Sequence, residues 1–147
     1  LPQKVFAASC WRKMQVARLH DEWVNMRAYY TLEDVNFEFF PQREPYVHGF
    51  YRLNGRTIGI VEEDYDDDRE LSYGILVLLH EIKHALQDKE KYIRIRSRAN
   101  IEIEAYQWSK EQYCFLGYPG RFEKHINAHR LVCWDMKLHL WRNRAED

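Results

Sequence analysis

The sequence predicts an α+β protein, and three features carry that prediction. Val16, Leu19, Trp23, Met26 and Tyr30 recur at alternating steps of three and four within residues 4–30, the stripe of an amphipathic helix. Residues 35–62 contain three short strand-like runs, two of them separated by Asn54-Gly55. Residues 74–90, GILVLLHEIKHALQDKE, form a run apolar enough for a buried helix, yet they carry two histidines and a glutamate.

At 147 residues the chain fits one domain, spanning 1–147, that can bury its own core. With 46% hydrophobic, 15% aromatic and 31% charged residues, the composition is globular rather than disordered. A formal net charge of -1 gives no overall attraction to nucleic acid or to an anionic membrane. Cys10, Cys114 and Cys133 are odd in number and in no CxxC spacing, which suggests neither a disulfide framework nor a zinc ribbon. An intracellular, cytoplasmic location is expected on that ground. The chain starts at Leu1 rather than a methionine, so a processed N-terminus, and with it secretion, stays open. No apolar run approaches the ~18 residues that span a bilayer.

The elements follow in order. After the first helix, VNFEFF sets Val35, Phe37 and Phe39 at period two and stops at Pro41. HGFYRL-NG-RTIGIVEE then reads as a hairpin, its Asn-Gly pair suited to the two positive-φ positions of a type I′ turn. Acidic EEDYDDD follows, with Asp67 and Glu70 at capping-box spacing, so a helix is expected from Asp68 or Arg69. Its centre, Ile75 to Leu79, has no polar side, so it must be packed on nearly every face. A further helix is expected from about Asn100 to Leu116, stopped by Gly117 and Pro119, and a last one over roughly 121–142.

His80 and His84 are four apart, so on a helix they direct two ring nitrogens at one point. A zinc ion suits that point, and the intervening HExxH glutamate, Glu81, projects as a general base. Burying these three groups without partners would cost about 1–3 kcal/mol for each unsatisfied polar group and more for a charge, an objection that a divalent ion removes. A catalytic zinc takes a third protein ligand and leaves a position for water.

The elongated metzincin motif HExxHxxGxxH does not supply that ligand, because Gln87 stands at its glycine and Glu90 at its last histidine. Asp88, one turn beyond His84, is expected at a solvated helix end. The better candidate lies in NIEIEAYQWSKEQYCFL, where Ile101, Trp108 and Phe115 mark the expected inward stripe. Glu104 falls on that stripe. Glu102, two residues and about 200° away, cannot share the aim, so Glu104 is favoured over Glu102.

The pairing of HEIKH with a downstream EIEAY, twenty residues from His84 to Glu104, resembles the gluzincins, zinc peptidases of thermolysin type. Their third ligand is a glutamate on the next helix, commonly followed by a small residue, as Ala105 follows here. The hairpin, acidic link, HExxH helix and E-x-E-A motif over about residues 48–110 also resemble the compact ImmA/IrrE-type metallopeptidases. The resemblance implies a zincin-like fold, with a small twisted antiparallel or mixed sheet packed on the HExxH helix and additional helices at both ends. It also implies an extended peptide or protein substrate bound along a sheet edge, from either 48–53 or 56–62.

An oxyanion-stabilising donor is also needed. In the last helix Phe122, Ile126, His129, Cys133, Met136 and Leu140 form a stripe that carries His129 on its apolar face. His129 is one candidate, against a core role for it, and Tyr106 and Tyr113 compete. His125 and His129 are also four apart, but Ile126 occupies the base position and no nearby carboxylate shares their face, so a second metal site is not expected.

The sequence therefore leads to a zinc-dependent peptidase in which His80, His84 and Glu104 hold Zn2+ and Glu81 is the base. Two alternatives are a binding module on the same scaffold with silent zinc, and a nucleic-acid-associated protease. The latter rests on Lys89, Lys91, Arg94, Arg96 and Arg98, a charge run that reads better as a solvated face.

Overall fold

A computed structural model describes residues 18–42, 47–62, 68–91, 93 and 95–118 of the chain. In chain order these form α1 (helical over 18–29), β1 (Asn36–Phe40), β2 (Gly49–Arg52), β3 (Thr57–Val61), α2 (Asp68–Lys89) and α3 (Arg98–Phe115). The helix expected over 121–142, the start of the first helix with Val16, and the capping residue Asp67 lie outside the described residues.

The architecture is α+β with a small mixed sheet of order β1-β3-β2. β3 is central. It runs parallel to β1, from Asn36↔Thr57 to Phe40↔Val61, and antiparallel to β2, from Gly49↔Ile60 to Arg52↔Thr57. Every residue of β3 is buried, whereas β1 and β2 are partly exposed, as edge strands are. Of the two expected substrate edges, 56–62 is thus enclosed, and the edge belongs to β2.

Strand alternation sorts the sheet's two faces. Phe37, Phe39, Ile58, Ile60 and Tyr51 point toward the helices: Phe37 stacks on Trp23 of α1 at 5.4 Å, and Tyr51 donates its hydroxyl proton to Asp88 of α2 at 2.5 Å. Burial and the Asp88 carboxylate together push the Tyr51 phenol well above its usual range. Asp88 is therefore tied to the sheet rather than solvated. On the outer face the Phe50 ring lies across Gly59, where an added Cβ would stand 2.2 Å from it, and Arg52 pairs with Glu38 at 3.2 Å.

The hairpin turn differs from the expected one by one residue. It is closed by Arg56 N–H donating to the Leu53 carbonyl at 3.3 Å, and the positive-φ pair is Gly55 (84°) and Arg56 (45°) rather than Asn54 and Gly55. Four residues, 53–56, connect the strands, so the Asn-Gly signal located the hairpin but not its turn type.

α2 packs against β2 and β3 on one side and α3 on another. Residues 74–82 are all buried, as the lack of a polar side required. Leu19, Trp23 and Met26 of α1 are buried in the same core, and Tyr30 donates to Gln112 of α3 at 2.6 Å. α3 opens at Ser97, whose hydroxyl accepts from Asn100 N–H at 3.3 Å, a cap of the ordinary kind that the sequence analysis did not pick out. No helix among the described residues is long and apolar enough to cross a membrane.

β2 reaches α2 through Gly49, where an added Cβ would stand 2.7 Å from Val77 Cγ1 and 3.2 Å from Glu81 Cγ. Gly49→Val is expected to lower stability by about 1–3 kcal/mol, the usual cost of overpacking. Urea denaturation checks this, and an unchanged midpoint would mean that β2 does not lie against the helix.

Candidate metal centre

His80 and His84 share one face of α2, and both are buried. Their ring planes are 80° apart with centroids 4.8 Å apart, and their Nε2 atoms approach to 3.1 Å. The third group at this point is Glu102 of α3. Its Oε2 lies 3.0 Å from His80 Nε2 and its Oε1 lies 3.1 Å from His84 Nε2. The imidazoles are nearly sealed at 2% and 6% side-chain exposure, while Glu102 keeps 19%.

This corrects the expectation that Glu104 faces the histidines. Glu104 accepts from Arg96 and from Gln87 Nε2 (3.4 Å), and its carboxylate lies 3.6 Å from Lys83 Nζ. Burial raises the Glu104 carboxyl, but the Gln87 and Arg96 hydrogen bonds and the Lys83 charge outweigh it and hold the group below its ordinary range. The reason is the rotation of α3. Its buried residues are Ile101, Ala105, Ser109 and Tyr113, whereas Phe115, expected inward, is 73% exposed. At about 100° per residue the true inward face is turned roughly 80° from the expected one, which brings Glu102 within about 40° of its centre and leaves Glu104 about 120° away. Ala105 and Ser109 are fully buried on the inward face, and Trp108 instead covers the flank, 5.2 Å from the Tyr30 ring and 5.4 Å from Lys83 Nζ.

Glu81 is buried at 3% exposure, and its carboxylate lies within 4.8 Å of the ligating atoms of His80 and His84. It thus sits between the histidines and Gly49 of β2. The His-Glu-His group and the His-His-Glu102 group overlap, and direct contact separates their parts: Glu102 touches both rings.

The donor set fits a divalent ion. A tetrahedral zinc with bonds of ~2.0–2.1 Å has its ligand atoms roughly 3.3 Å apart. The Nε2–Nε2 separation of 3.1 Å is within a few tenths of that edge, and each Nε2 has its own oxygen of the Glu102 carboxylate at 3.0 or 3.1 Å. Two imidazole nitrogens and a carboxylate are also donors that zinc accepts.

Other candidates fall elsewhere. His125 and His129 lie outside the described residues. Tyr113 is fully buried and stacks on Tyr118 at 5.2 Å, a core position rather than one in the centre. The Tyr106 hydroxyl is buried, and its residue stands one turn beyond Glu102 on α3. Within the basic run, Lys89 donates to the Thr31 carbonyl at 3.1 Å and Arg96 is engaged with Glu104, so two of the five charges are spent inside the chain. Gln87, singled out in the sequence only as a departure from the elongated motif, is 1% exposed and bonded to His84.

No family model, curated protein or solved structure matches the chain. The reading of the centre therefore rests on its geometry and on the HExxH spacing.

Glu102→Gln is expected to weaken zinc binding beyond the ~10–100-fold that loss of a supporting hydrogen bond costs, with Glu104→Gln remaining within that range. Competition against a chromophoric chelator measures both. The reverse order would return the ligand role to Glu104.

Proposed function

We propose that this chain is a zinc-dependent peptidase of gluzincin-like type, with His80, His84 and Glu102 as the metal ligands and Glu81 as the general base. The observation that carries the reading is the convergence of two Nε2 atoms and a carboxylate within 3.1 Å of one another. Zinc bound there supplies Lewis acidity toward a carbonyl oxygen and toward water. Glu81, buried beside the histidines but touching the edge strand, takes the proton of the attacking water and delivers it to the leaving amide nitrogen. Burial of His80 and His84 on α2 leaves their rings little room to reorient.

The zincin-like fold belongs to the same proposal: a mixed sheet, an edge strand beside the base, and a following helix that brings the glutamate. The substrate is an extended peptide or protein segment added along β2, which among the described residues pairs with β3 alone. Such a segment passes Glu81, because Gly49 brings the β2 backbone against that side chain. The basic run gives little support to a nucleic-acid partner, given the internal use of Lys89 and Arg96.

Glu81→Gln removes the base and no ligand. It is expected to keep zinc and fold while losing peptidase activity by ~10²–10⁴. The assay uses a broad peptide library at neutral pH with chelator-treated protein as control. Zinc-loaded wild type that cleaves nothing would favour a binding module, and cleavage that survives the substitution would remove Glu81 from the mechanism.

A further inference from the structure

We propose that Gln87 is the positioning residue of the centre: its amide sets which nitrogen of His84 faces the ion, and it holds α3 at Ile101 so that Glu102 arrives there. The proposal rests on the zinc reading above and extends it to a residue outside the HExxH motif.

Gln87 is three residues beyond His84, on the same face of α2, and is buried at 1% exposure. A buried amide must place all its polar atoms, since each one left over costs about 1–3 kcal/mol. Its Nε2 lies 3.0 Å from the Ile101 carbonyl and 3.4 Å from Glu104 Oε1, and both of those groups only accept. The amide nitrogen must therefore be on that side, which fixes the flip. Oε1 is then the atom 2.8 Å from His84 Nδ1.

An amide oxygen only accepts, so Nδ1 carries the hydrogen. A neutral imidazole has one N–H, which leaves His84 Nε2 as a lone pair. That lone pair meets Glu102 Oε1 at 3.1 Å, acceptor against acceptor, and His80 Nε2, also at 3.1 Å. In the neutral ring the contact with the carboxylate needs a proton or a metal ion between the two atoms, and with a metal ion it becomes ligation. Gln87 thus disfavours the other neutral tautomer, in which Nδ1 would turn a lone pair on the amide oxygen and an Nε2–H would bond Glu102 and block the site.

The second bond of the same amide has a separate consequence. Ile101 precedes Glu102, so the Gln87 bond to its carbonyl fixes α3 beside the ligand it supplies. An amide serving only as glue between helices would explain the Ile101 bond but not the one to His84.

Long-range proton–nitrogen correlation spectra of the metal-free, nitrogen-15-labelled protein at pH 8 report which nitrogen of each ring is protonated. In wild type His84 is expected as the Nδ1–H form. In Gln87→Met it is expected to shift toward Nε2–H, with zinc affinity down about 10–100-fold by chelator competition and the fold unchanged by circular dichroism. Gln87→Glu keeps an acceptor for Nδ1 but has no donor for Ile101, so it is expected to keep the tautomer while losing affinity. Wild-type His84 found as Nε2–H overturns the proposal whether or not the variants fold. Unchanged tautomer and affinity in Gln87→Met overturn it too, and wild-type affinity in Gln87→Glu removes the Ile101 half. Wild type that shows Nδ1–H yet takes up no zinc contradicts the zinc reading instead, so the two failures are told apart.

Discussion

A helix that meets water on no side from residue 74 to 82 must satisfy every polar atom it carries from within the protein, and the rest of the fold is arranged around that constraint. The sheet covers one flank of α2 and α3 covers another, with α1 joining the same core. His80, Glu81 and His84 are polar groups inside this enclosure. His84 is met by Gln87 of the same helix and, with His80, by Glu102 of α3, while Gly49 brings β2 against the Glu81 side chain.

The enclosure also explains why small residues recur at the contacts. Gly49 lets β2 approach α2, and Ala105 and Ser109 are the small residues on the buried face of α3. Larger side chains at these places would hold the elements apart and draw Glu102 or the edge strand away from the histidines. Hydrogen bonds between elements then fix what close packing permits. Tyr51 to Asp88 pins β2 to α2, Gln87 to Ile101 pins α3 to α2, and Tyr30 to Gln112 pins α1 to α3.

Much of this was legible in the sequence, and the failures have physical causes. Asn54-Gly55 located the hairpin and the unbroken apolar run located α2, while period-two and three-four patterns located β1 and α1, because burial on one face leaves a periodic trace. The HExxH spacing located two imidazoles and a carboxylate on one helix for the same reason. The rotation of α3 was not legible, because its contact face is made of Ala105 and Ser109 while Trp108 and Phe115 carry the hydrophobic signal. Large residues were weighted as core, so Glu104 was favoured over Glu102. The parallel pairing of β1 with β3 was likewise hidden, since a hairpin signal reports only its own two strands. Gln87 was hidden by its type: nothing in the pattern marks a glutamine as buried.

The central claim is that one zinc is held by two imidazoles of α2 and one carboxylate of α3, with a position left to solvent. Zinc K-edge X-ray absorption on the zinc-loaded protein tests it most directly. The account predicts nitrogen and oxygen neighbours at about 2.0–2.1 Å, with multiple scattering from two imidazole rings and no sulfur. A third imidazole, a sulfur neighbour near ~2.3 Å, or failure to load one zinc per chain would contradict it.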